Sequence, residues 1–247
     1  MRIAMWSGPR NLSTAMMYAF AARGDCAVWD EPFYAAYLDR TGLDHPMRAD
    51  SLAAGERDPD KVAAACVAGP VPEEKPHFLQ KHMAQHMLPG FDRDWLSRVV
   101  NIFLIRHPAR VIASFSAKHD RLGLDDIGFR SQLELYRAAS VCGQTPVVLD
   151  SADIRSDPAA VLEALCDSIG LPWTPEMLRW PAGPKPFDGV WAPHWYDSVH
   201  RSSGFAGPEG PLPAIDPALA HIHAEALPYY EELRLRRLRV NSSRRPG

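Results

Sequence analysis

Short runs of apolar residues with no polar face alternate along the chain with longer stretches of helix-forming composition. Arg2–Trp6, Cys26–Trp29, His77–Gln80, Arg98–Ile105 and Pro146–Leu149 read as strands. The clearest is RVVNIFLI, β-branched and nearly continuous, closed by Arg106-His107-Pro108. Between them the pattern turns helical. LSTAMMYAFAA begins at Leu12 and stops at Gly24, and further helices are predicted over 33–39, 61–67, 110–118, 129–141, 157–169 and 215–238. Asp157-Pro158 supplies a cap and a first-turn proline for one of them. Strands without a polar face, each followed by a helix, predict an α/β fold, a three-layer sandwich around a central parallel sheet.

Two regions escape this rhythm. Residues 40–74 are rich in Asp, Pro and Gly, and residues 183–213 predict a loop longer than a structureless connection usually is. No internal repeat is visible. The length of 247 residues suits a single domain over 1–247, with a basic, solvated tail from about residue 239.

Composition narrows the function. Lys plus Arg number 27 against 30 Asp plus Glu, a net charge of −3, which argues against nucleic acid as a partner. No run approaches the ~18 apolar residues of a spanning helix, and the N-terminus has no signal-peptide core, so neither membrane nor export is expected. Cys26, Cys66, Cys142 and Cys166 show no CxxC pair and no zinc spacing. Reduced, buried thiols fit the cytoplasm, and no metal is expected.

The chemistry begins in the first strand–helix turn, Ser7-Gly8-Pro9-Arg10-Asn11-Leu12-Ser13-Thr14. A helix N-terminus presents unpaired N–H groups, Ser13 and Thr14 add hydroxyls, and Arg10 adds a fork-shaped cation for phosphate-like oxygens. Plain capping by Asn11 or Ser13, with Arg10 in solvent, is the competing reading. A nucleotide kinase with a degenerate P-loop is a rival. Counted from Gly8, however, the pattern G-x-x-x-x-G-K-[ST] would need Gly, Lys and a hydroxyl where Ser13, Thr14 and Ala15 stand. A second polar pair lies in RHPARVIASF, where Arg106 ends a strand and Ser114 follows eight residues on.

Together these segments resemble the sulfotransferases that use 3′-phosphoadenosine 5′-phosphosulfate. PRNLST is similar to that family's 5′-phosphosulfate loop, and RHPARVIASF to its 3′-phosphate motif. The resemblance implies a P-loop NTPase-like fold and transfer of a sulfuryl group to a hydroxyl or amine of a small-molecule acceptor. It places the donor on residues 8–14 (Gly8, Pro9, Arg10, Asn11, Leu12, Ser13 and Thr14), on Arg106 and Ser114, and on Arg201 in HRSSGF. Leu12 departs from the family, which often has Gly there, so a non-catalytic nucleotide-binding module of the same fold is a further alternative.

Three residues are candidates for the chemistry. Lys81 in FLQKH resembles the family's strand-end Lys and would stabilise the leaving oxygen with Arg10. Glu31 in WDEPF leads as base for the acceptor proton, because a carboxylate facing an anionic donor has a raised pKa; helix capping by Asp30 and Glu31 is its alternative. His82 comes next, then His86, although neighbours on a strand diverge in direction. The Trp-rich WAPHWYDSVH suits either a ligand wall or a loop pinned to the core.

Overall fold

The computed structural model describes residues 1–116, 122–141, 143 and 145–240. Its strands are β1 (Arg2–Ser7), β2 (Cys26–Asp30), β3 (His77–Met83), β4 (Val100–Ile105) and β5 (Val147–Asp150). All pair in parallel, in the order β2-β3-β1-β4-β5. The helices are α1 (Ser13–Ala22), α2 (Tyr34–Thr41), α3 (Arg48–Ala54), α4 (Pro59–Ala68), α5 (Pro108–Ser116) and α6 (Phe129–Val141). They continue as α7 (Ser151–Ser156), α8 (Pro158–Ile169), α9 (Ala192–Trp195), α10 (Asp197–His200) and α11 (Ala220–Leu235).

Alternate strand residues feed two cores, as a sheet covered on both faces requires. Ile3, Met5, Leu79, Ile102 and Leu104 pack with α1 and α8, whereas Ala4, Trp6 and Phe103 pack with α4, α6 and α11. Asn101, the polar residue inside the fourth apolar run, is buried but satisfied. It accepts from Trp6 Nε1 at 3.1 Å and donates to the carbonyls of Leu96 and Val99. The chain leaves β1 toward β2 on one side of the sheet and returns from β3 to β4 on the other. A crevice therefore opens between the carboxyl ends of β1 and β4, where ligands of open α/β sheets bind.

The predicted sheet is present strand for strand, but several elements differ, among them α7 over 151–156, which has no predicted counterpart. β3 runs on through Met83, so Lys81 and His82 lie inside it rather than after it. Residues 48–54 form α3, entered from Met47 at φ 61° with no side-chain cap, so no capping signal announces it. The long loop contains α9 and α10, and the terminal helix covers 220–235 rather than 215–238. Cys142, Lys118 and the tail beyond residue 240 lie outside the described residues. Among the described residues no helix is long and apolar enough to cross a membrane, and no cluster of His, Cys, Asp and Glu could hold a metal ion.

Candidate functional site

The turn after β1 is shaped by close backbone packing. A Cβ on Gly8 would meet the Ile127 carbonyl oxygen at 2.5 Å, so only glycine fits. Asn11 spends its amide on structure: Nδ2 donates to the Leu104 carbonyl at 2.9 Å and Oδ1 accepts from the Leu12 amide at 2.8 Å. Helix α1 then starts with no side-chain cap, neither from Asn11 nor from Ser13. Its first-turn N–H groups are left facing the crevice, at the positive end of the helix dipole. Gln132 of α6 pins the two strand ends beneath, donating to the carbonyls of Trp6 and Leu104.

Arg10 sits in the left-handed region at φ 56°, a strained conformation for a residue with a Cβ. Its Nε donates to Ser114 Oγ at 2.8 Å, and its carbonyl accepts from Arg106 Nη1 at 2.5 Å. The two segments matched in the sequence thus converge on one edge of the sheet. Burial and the neighbouring Arg106 both lower the Arg10 guanidinium below its ordinary value. A cleft of about 1640 Å³ opens here, lined by residues 9–15, Arg106, Ser114 and the exposed Arg201, and it continues to Glu31, Lys81 and His86. Gly8 and His82 do not line it.

The second half of the cleft is built on β2 and β3. Lys81 is fully buried, and its Nζ donates to Asp30 Oδ1 at 2.8 Å, Glu31 Oε1 at 2.5 Å and Tyr196 OH at 2.7 Å. Tyr196 OH in turn lies 2.7 Å from Asp30 Oδ2 and accepts from Trp191 Nε1 at 3.3 Å. Two carboxylates share one ammonium. Burial alone would lower Lys81, but Asp30 and Glu31 carry it above its ordinary value. Burial raises Glu31; Lys81 opposes this and Asp30 adds to it, so the carboxyl ends above the usual glutamate range. Glu31 also occupies the left-handed region, at φ 45°. Lys81 holds its Oε1, while Oε2 lies 3.9 Å from His86 Nδ1, beyond hydrogen-bond reach.

His82 is placed elsewhere. Strand alternation turns it to the opposite face from Lys81, where it stacks on Trp6 at a ring distance of 4.4 Å and packs beside Phe33 and Trp95. Neither ring nitrogen has a hydrogen-bond partner among the described residues. Burial and Lys81 push the imidazole down to about 3. A ring sealed in the core cannot take a proton from a substrate in the cleft. His86 does line the cleft, sandwiched between Tyr34 at 4.7 Å and Tyr37 at 4.6 Å, and burial holds it well below its ordinary value.

Two features were not singled out from the sequence. Tyr196 lies in the Trp-rich stretch, which proves both pinned and lining. Trp191 and Tyr196 pack with Tyr34 and Leu38, while His194, Trp195 and Tyr196 border the cleft. Arg155, at the end of α7, also borders it. A lone Arg on a short helix carries no local signal.

Comparison with known proteins places the chain in a family. Over 233 residues the chain is 36% identical to the branched-chain-amino-acid aminotransferase-like protein 2 of Arabidopsis thaliana, and over 234 residues 38% identical to protein 1 of the same name. Each match covers 94% of this chain and 41% of the relative, so the chain spans about two fifths of their length. Among solved structures, a sulfotransferase domain from the curacin biosynthetic pathway aligns over 98% of this chain and 93% of its own, at 16% identity and a TM-score of 0.46. The family model described as a sulfotransferase domain matches residues 1–237, nearly the whole length and every element of the cleft, and on that ground the chain belongs to the sulfotransferase-domain family.

Proposed function

We propose that the chain transfers a sulfuryl group from 3′-phosphoadenosine 5′-phosphosulfate to a hydroxyl or amine of a small-molecule acceptor. The observation that carries this reading is the convergence of Arg10, Arg106 and Ser114 at the mouth between β1 and β4, with Glu31 and Lys81 farther along the same cleft. The uncapped start of α1 and the guanidinium of Arg10 suit the 5′-phosphosulfate, and Arg106 with Ser114 suits the 3′-phosphate. Ser13 and Thr14, which line the cleft, add hydroxyl donors. Asn11 serves to hold the turn against β4.

In the reaction the acceptor oxygen or nitrogen forms a bond to sulfur as the bridging S–O bond to the 5′-phosphate breaks. Adenosine 3′,5′-bisphosphate leaves with the bonding pair, and the acceptor proton passes to Glu31. Lys81 fixes the carboxylate through Oε1, so Oε2 receives the proton. Arg10 and the N-terminal dipole of α1 stabilise the charge that develops on the leaving phosphate. The leaving group carries no triphosphate, so the step requires no magnesium.

The test is binding and transfer. Adenosine 3′,5′-bisphosphate is expected to raise the melting temperature of the wild-type chain, and Arg106→Ala to lose most of that rise. Incubation with sulfur-labelled donor and a panel of hydroxyl and amine acceptors is expected to move label to one of them. Absence of any thermal shift at millimolar nucleotide defeats the reading.

A further inference from the structure

The coil that follows Arg201 returns to the cleft and inserts one side chain. Every residue from 206 to 212 is exposed except Glu209, whose side chain is only 3% exposed. Its Oε1 accepts from Arg106 Nη2 at 2.5 Å, Arg106 Nε at 3.2 Å and Arg155 Nη1 at 3.0 Å, and its Oε2 forms an ion pair with Arg110, 2.8 Å from Nε. The coil's other ties in this stretch go to the same arginines: Arg155 Nε donates to the Gly207 carbonyl at 2.7 Å and Arg110 Nη2 to that of Gly210. No apolar side chain of 206–212 anchors it. Leu212 is half exposed.

Three guanidinium groups around one carboxylate leave an excess of two positive charges at the edge of the cleft. A phosphate monoester, with about two negative charges and three oxygens, matches that cradle better than the carboxylate in charge and in number of acceptors. Arg106 cannot give the same N–H groups to both. We propose that Glu209 is an internal stand-in for a phosphate monoester in a subsite made by Arg106, Arg110 and Arg155, and that ligand entry releases residues 206–212. The choice of a nucleotide 3′-phosphate as that monoester rests on the donor reading above; the competition between Glu209 and a phosphate group does not. The carboxylate keeps like charges from being buried unpaired when the site is empty, and it lowers the apparent affinity for the ligand by the share of molecules in which it is docked.

The experiment compares wild type with Glu209→Gln, titrated by calorimetry with inorganic phosphate and with adenosine 3′,5′-bisphosphate. Both ligands are expected to bind the variant at least about tenfold more tightly. In the wild-type chain, a protease that cleaves after glutamate gives a second readout that needs no variant. Saturating ligand is expected to speed cleavage of the Glu209–Gly210 bond, against the usual protection by ligands. Unchanged or weaker binding of both ligands by Glu209→Gln, or unchanged or slower cleavage of wild type at saturation, overturns the proposal. If phosphate tightens on Glu209→Gln while neither protein binds the nucleotide, the donor reading fails and the stand-in role holds. If the nucleotide binds both proteins alike and cleavage does not respond, the stand-in role fails and the donor reading holds.

Discussion

Arg10 Nε donates to Ser114 Oγ at 2.8 Å across 104 residues of sequence. The bond ties the turn after β1 to α5, which follows β4, and it sets the direction of a guanidinium already held at an unfavourable backbone angle. Ser114 is thus the partner that aims Arg10, and in the proposed function its hydroxyl also donates to the bound anion.

Ser114→Ala should weaken binding of adenosine 3′,5′-bisphosphate by about tenfold, the scale of one hydrogen bond to a charged group. Global stability should fall by no more than about 1.5 kcal/mol. Calorimetry gives the first number and a urea midpoint the second.

Glu31→Gln keeps the shape of the side chain and removes the proposed base. Transfer should drop by about 10²–10⁴-fold with little change in nucleotide affinity. Only the ionised carboxylate accepts a proton, and burial raises the Glu31 pKa. The wild-type rate should therefore rise with pH along a limb above the ordinary glutamate range. That limb should be missing from the residual activity of the variant.

His82→Phe should leave the rate of transfer unchanged, because the ring faces the core and not the cleft. The same variant tests acid stability. The folded imidazole holds a pKa of about 3 against an ordinary 6.5, so between these values the unfolded chain binds the extra proton. Stability is then full above pH 6.5 and is lost as pH falls, at about 1.4 kcal/mol per pH unit for one such group. His86, also held low, adds to the slope. Denaturant melts from pH 8 to 4 should show a shallower loss for His82→Phe than for wild type.

Tyr196→Phe removes the hydroxyl that lies against Lys81, Asp30 and Glu31. The cluster is buried, so the loss should cost about 1–3 kcal/mol in a urea melt. Lys81 would then lean more fully on its carboxylates, and the pH limb assigned to Glu31 should move in the transfer assay. A purely structural tyrosine would lower stability and leave that limb in place.

Much of the site is legible locally because its signals are local. A turn that opens a helix, a cation within it, and an Arg followed eight residues later by a Ser are all short-range patterns, and the strands that carry them lack a polar face. The extent of β3 was harder to read. Lys81 and His82 look like the end of a buried strand, since neither belongs in a core alone. The strand continues because Asp30 and Glu31, brought alongside by the parallel pairing of β2 with β3, compensate the ammonium. Helix α3 carries no such local signal, having neither a capping residue nor a periodic apolar face.

The amino-acid sequence by itself determined the alternation of strand and helix, and with it the parallel sheet and the place of the candidate anion loop at the end of β1. That Lys81 and His82 point apart follows only from β3 running through both, since strand geometry has a period of two. Tertiary structure alone decided that Tyr196 closes the Lys81 cluster and that Glu209 reaches three arginines from a coil about a hundred residues beyond the first of them. Neither contact has a periodicity or a local motif. Each depends on where an irregular segment crosses the sheet edge, and that is set by the packing of the whole chain.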